Sequence, residues 1–199
     1  MARPKKIAGA PDTRELILDA ACEEFAVTGV SARLEDIAAR CGIRSASLMY
    51  YFPSKQELMD TLYERVTNLL IVRSQEAFRL AEGNYAAAIR SVAQAIRKVE
   101  EEQFGTANVM LHGLLSEYSH DVLKQHMQKL LEIITGLAMS AGANSYHSRE
   151  TVHAVISHIF MGELTRVALG GKAERYWGNE DAVMPLIEEF FKLKPERGN

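Results

Sequence analysis

Ser45, Ala46, Ser47 and Tyr50 fall within one short helical stretch, Ser45 to Tyr51, which Arg44 precedes and Lys55 follows. Small and hydroxyl-bearing side chains on one face suit a helix that enters the major groove of DNA, where base edges offer hydrogen-bond partners. Only Leu48, with part of Met49 and Phe52, is available for packing, whereas a core-facing helix would carry Leu or Ile in place of the serines. Arg44, Tyr51 and Lys55 can supply donors to phosphates on either side of the groove. Taken singly, each has a plainer reading: Arg44 and Lys55 as solvated charge, Tyr50 and Tyr51 as packing aromatics.

Positioning such a helix requires partners, and the preceding residues supply them. Leu34, Ile37 and Ala38 mark one face of a helix starting near Ala32 or Arg33. Cys41-Gly42-Ile43 then makes a turn in which Gly42 takes a positive φ and Ile43 plugs a small core, a helix-turn-helix pattern. Ahead of it, Asp12 with Glu15 opens a first helix carrying Leu16, Ile17, Ala20, Ala21 and Phe25, which Gly29 ends. Pro53 stops the third helix, and Ser54 with Glu57 opens a long fourth one reaching about Leu80.

The rest repeats apolar residues at helical spacing: Tyr85 to Val99, Val109 to Tyr118, Leu123 to Leu137, and Val152 to Val167 behind a Ser148 cap. A loop from Gly170 to Gly178 precedes a last helix, capped by Asn179 or Asp181 and carrying Val183, Leu186, Ile187, Phe190 and Phe191. Pro185 stands near its start, where it is tolerated. No segment alternates with period two. The expected fold is all-α: a three-helix DNA-binding domain over residues 1–53, then a larger helical domain of about six helices over 54–199.

Composition narrows the function. The 199 residues are 47% hydrophobic, enough for a packed core, and carry a net charge of −3, so any DNA contact must come from locally placed charge. The first 55 residues hold eight bases against seven acids, the remainder fifteen against nineteen. Arg3, Lys5 and Lys6 form a basic arm that reads equally as a solvated terminus or a phosphate contact. Two cysteines without CxxC spacing suggest a reducing cytoplasm, and no stretch has the ~18 apolar residues a membrane span needs. Glu117, His120 and Asp121 share a face, and His153 precedes His158 by five residues. Neither set has a recognised metal spacing, so no metal or other cofactor is expected. No nucleophile with a base, glycine-rich phosphate loop or paired carboxylates point to an enzyme.

Thr13 to Leu58 resembles the DNA-binding domain of the TetR family of bacterial transcriptional regulators. The resemblance rests on I-L-D-A-A with Phe25 and Gly29, D-I-A at Asp36 to Ala38, C-G-I with Ser47-Leu48, and Y-F-P-S-K at Tyr51 to Lys55. It implies base contacts from Ser45, Ala46, Ser47 and Tyr50, and phosphate contacts from Arg44, Tyr51 and Lys55. It also implies a homodimer on a palindromic double-stranded operator, with the last two long helices as the interface and a small-molecule effector among helices four to eight. Candidate interface residues are Val155, Ile159, Val167, Leu186 and Phe190. Candidate effector residues are Phe104, Met110, His112, Leu115 and Tyr118, which combine apolar surface with polar tips. Repression is the family's habit. Control by a protein partner, or an all-helical enzyme or carrier, are the alternatives.

The chain departs from the family pattern in three places. The segment between Gly29 and Ile37 is one residue shorter, and Ala32 stands where many members have a capping Thr. Ser31 is then expected to take over the cap, with Arg33 as the phosphate contact. Met49 replaces the usual backbone-contacting Tyr.

Overall fold

A computed structural model of the chain describes residues 12–81, 85–116, 121–143 and 147–178, with Pro185 and Glu189. Asp12 accepts from the backbone amide of Arg14 at 3.2 Å and opens α1, Thr13–Thr28. Gly29, at φ 60°, ends it and leads into one 3-10 turn, Gly29–Ser31. α2 spans Leu34–Arg40 with Arg33 at its N-cap, and no side chain closes that end. The Ser31 hydroxyl donates back to the Thr28 carbonyl instead, so the shortened entry spends its serine on the preceding turn.

Between α2 and α3, Ser45–Tyr51, the turn is built as its residues require. Gly42 sits at φ 68°, its amide donates to the Ala39 carbonyl, and Ile43 N–H reaches the Ala38 carbonyl at 3.0 Å. This is the paired-bond helix ending that a left-handed residue permits, with Ile43 packing on the core behind it. The Ser54 side chain accepts from Glu57 N–H at 3.1 Å and starts α4, Lys55–Leu80.

α5 spans Tyr85–Glu102, α6 Thr106–Leu115, α7 Asp121–Ser140 and α8 Arg149–Leu169, the last opened by Ser148 accepting from Thr151 N–H. α6 starts and ends three residues earlier than Val109 to Tyr118. The Glu100 carboxylate causes the early start, accepting from Gly105 N–H and Ala107 N–H at 2.8 Å each and so satisfying the orphan amides of the turn. The expected loop after α8 contains a 3-10 turn, Gly170–Lys172, and a four-residue helix, α9, Glu174–Trp177. The last predicted helix lies outside the described residues apart from Pro185 and Glu189, both helical and exposed.

Every regular element among the described residues is helical. α4 packs on α5 and α7, α8 covers α5 and α7, and α6 lies against both α8 and α1. One apolar core runs through all of them, with Tyr63, Phe25, Phe52 and Phe160 its largest fully buried members. Two buried threonines are satisfied within it. Thr67 donates to the Tyr63 carbonyl at 2.7 Å, leaving its oxygen to accept from His126 Nδ1 at 3.1 Å. Thr135 does the same with the Leu131 carbonyl and His153 Nδ1.

Candidate nucleic-acid interface

α3 is held by two residues four apart. Leu48 and Phe52 are fully buried, and α2 beneath them is tied to α1 by Arg40, which donates to Glu23 and Glu24 at 3.0 and 2.8 Å. A third tie, Arg65 on α4 with Glu15 and Asp19 of α1, fixes the three-helix head to the long helix behind it. The Arg40–Glu23 pair is exposed and adds little stability, whereas Glu24 is buried and Arg65 largely covered.

With that stripe occupied, the opposite face of α3 is open. Ala46, Ser47, Met49 and Tyr50 are exposed, Tyr50 by 82% and Met49 by 52%, while Ser45 is half-buried. Tyr50 is therefore no packing aromatic. Its ring meets Tyr51 edge-on, with centroids 5.4 Å apart, which restrains both. Arg44 and Arg33 are exposed at the N-caps of α3 and α2. Lys55 is half-buried with its ammonium 5.7 Å from the Phe25 ring centroid, and burial lowers its pKa from the ordinary value. Glu35 and Asp36 occupy the first turn of α2, so Arg33 is the cation there against two acids.

Two residues on this side are not among the DNA-contact candidates read from the sequence, which assigns Met49 partly to packing. Met49 belongs to the exposed face, because the packing stripe is filled without it. Arg14 lies 5.0 Å over the Phe52 ring, adding an exposed guanidinium beside the end of α3. No local spacing signals a contact between residues 38 positions apart. The basic arm of Arg3, Lys5 and Lys6 lies outside the described residues.

The candidate effector residues do not converge. Met110 is in the core, Phe104 and Leu115 are 64% and 81% exposed, and Tyr118 lies outside the described residues. The exposed His112 packs its ring against the Gly29 turn, 3.2 Å from where a Cβ on that glycine would be. Among the described residues, two clefts lie elsewhere. One of about 210 Å³ lies between α4 and α5 among Arg73, Ala77, Leu80 and Gln94, and one of about 350 Å³ among Arg97, Glu100, Arg166 and Ala173.

Val155, Ile159 and Val167 are half-buried on α8, flanking the buried stripe Val152, Ile156, Phe160 and Leu164. Leu186 and Phe190 lie outside the described residues. Of the residues weighed as metal ligands, His153 is bonded to Thr135 and faces Glu132 at 3.6 Å, and His158 bonds the Ala154 carbonyl. Asp121 faces Lys124 at 3.9 Å, and Glu117 and His120 lie outside the described residues.

Residues 17–62, which span α1 to the start of α4, match the family model for bacterial regulatory proteins of the tetR family. The chain thus carries a helix-turn-helix segment similar to that of the TetR family. It is 27% identical over 137 residues to the HTH-type transcriptional regulator SrpR of Pseudomonas putida, a match covering 67% of this chain and 62% of SrpR, so less than two thirds of that relative is spanned. Its fold is shared with the TetR-family regulator PfmR of Thermus thermophilus, at TM-score 0.67 and 19% identity over 95% of this chain and all of the other. The fatty acid degradation regulator FadR of Bacillus halodurans is similar at TM-score 0.71 and 16% identity, over 90% of this chain and 99% of the other. Each of these three relatives is described as a regulator. No described helix is long and apolar enough to cross a membrane.

Proposed function

We propose that this protein is a TetR-family regulator, a cytoplasmic homodimeric repressor that binds a palindromic operator and is released by a small-molecule effector. The observation that carries the DNA-reading part is α3, whose buried Leu48 and Phe52 leave Ala46, Ser47, Met49 and Tyr50 facing outward from a family-matched helix-turn-helix. Arg33, Arg44, Tyr51 and Lys55 are the donors suited to hold the flanking phosphates. In this reading residues 1–53 form the reading head and 54–199 the controlling domain.

Release follows from how the head is mounted. α6 abuts α1, and α4 runs from the head into the helical layer without a break. An effector that prefers one arrangement of α4 and α6 therefore changes the separation of two paired heads, by no more than its difference in affinity for the two arrangements. Salt-dependent binding of the purified protein to a palindrome from its own promoter tests the reading. Binding that weakens with salt, and weakens further in Ser47→Ala and Tyr50→Ala, is expected. Indifference to the duplex at low salt, with both variants unchanged, overturns it.

A further inference from the structure

We infer that Met49, with Ala46 beside it, is a specificity-determining residue that reads the 5-methyl group of thymine. This rests on the DNA-binding function proposed above and names what the reading face recognises. α3 has the sequence Ser-Ala-Ser-Leu-Met-Tyr-Tyr, with no Arg, Lys, Asn or Gln, the side chains that make two-pronged hydrogen bonds to guanine or adenine. Ser47 and Tyr50 each present one hydroxyl, which donates or accepts and so discriminates poorly between base edges.

What the face does offer is apolar surface. Met49 exposes half of its side chain, although the packing stripe of the helix is already completed by Leu48 and Phe52. Ala46 lies three residues earlier, one turn away on the same side, and is also exposed. In the major groove the apolar feature of a base pair is the thymine methyl, and an unbranched, polarisable thioether adapts to it. A methionine side chain has no hydrogen to donate to a phosphate, so what Met49 offers on this face is apolar contact.

Deoxyuridine removes the methyl and leaves every hydrogen-bonding group of thymine in place, which isolates the contact. The full chain is used to select duplexes from a random-sequence pool at low salt, and each thymine of the preferred duplex is replaced by deoxyuridine in turn. Replacement of one thymine in a single half-site is expected to weaken binding about fourfold, and of its counterpart in the other half-site as well about fifteenfold. Met49→Ala should bind the thymine duplex more weakly and lose this sensitivity, while Met49→Leu should keep most of it. The inference is overturned if deoxyuridine is tolerated at every thymine, or if Met49→Ala retains the full loss. Failure to enrich any duplex overturns the DNA-binding function itself, and this inference with it.

Discussion

Gly105 meets Ala26 with no room for a side chain between them: a Cβ at position 105 would stand 2.5 Å from that of Ala26 and 2.9 Å from the Cys22 carbonyl oxygen. Gly105 also has φ 96°, a conformation that L side chains rarely adopt. The seam between α1 and the start of α6 depends on this glycine. Gly105→Ala should therefore cost about 2–5 kcal/mol, from overpacking and the left-handed backbone together. Urea unfolding measures it, and a midpoint unchanged from the parent would show that the seam relaxes freely.

Lys55→Ala separates two roles. Removing a phosphate contact should weaken binding to all duplexes alike and reduce the slope of log affinity against log salt by about one unit. Because the ammonium also lies over the Phe25 ring, stability should fall by about 0.5–1 kcal/mol. An effect confined to one base position would contradict the phosphate role.

The two thiols should differ sharply. Burial pushes Cys22 up to about 11, against a partial offset from its contact with Thr106. Cys41 is half-buried, and burial raises it too, but Arg40 pulls the other way. At pH 8 an aromatic disulfide reagent should modify Cys41 slowly and Cys22 only on unfolding, since the thiolate is the reactive form. Cys41→Ser should abolish the native-state reaction, and a reaction that persists in that variant would place Cys22 within reach.

These cases also mark how far the amino acids announce the structure. Gly42 and Ile43 were legible because the turn they make is local: a positive φ and a hydrophobic plug are decided by adjacent residues. The start of α6 was not, because its amides are satisfied by Glu100, a side chain from the preceding helix whose reach across the turn no periodicity records. Exposure was the other blind spot. Phe104, Met110, His112 and Leu115 share a composition suited to a pocket, yet what packs over each is settled by distant helices, and one is core while three face outward. Met49 was ambiguous for the same reason until Leu48 and Phe52 filled the stripe.

Glu100 gives stability a definite pH sign. Burial pushes its carboxyl above the ordinary value of 4.5, although the amides of Ala107 and Gly105 pull it down. The folded state thus holds this proton more tightly than the unfolded state. The contribution is fully present below pH 4.5 and is lost as pH rises through the folded value. In urea unfolding, the parent should lose stability relative to Glu100→Gln as pH increases from 4.5 toward neutrality. The opposite trend would mean that the amide bonds outweigh burial.

The proposed dimer makes the most direct demand on α8. Its own core contact is completed by Val152, Ile156, Phe160 and Leu164, spaced by four and fully or almost fully buried. Val155 and Ile159 flank that stripe, and both remain half-buried. Apolar residues spread beyond a filled stripe suit a helix with partners on more than one side. Ile159→Glu places a charge on the flank rather than in the stripe, so the monomer should keep its helical content and most of its cooperativity. In a dimer formed through this flank two carboxylates are desolvated, one from each subunit across a two-fold axis, and association should weaken by at least tenfold. Sedimentation velocity over a concentration series reads this directly. Duplex binding should fall in parallel, because one head alone reads only a half-site. A variant that stays dimeric at every concentration would exclude this face of α8 from the interface.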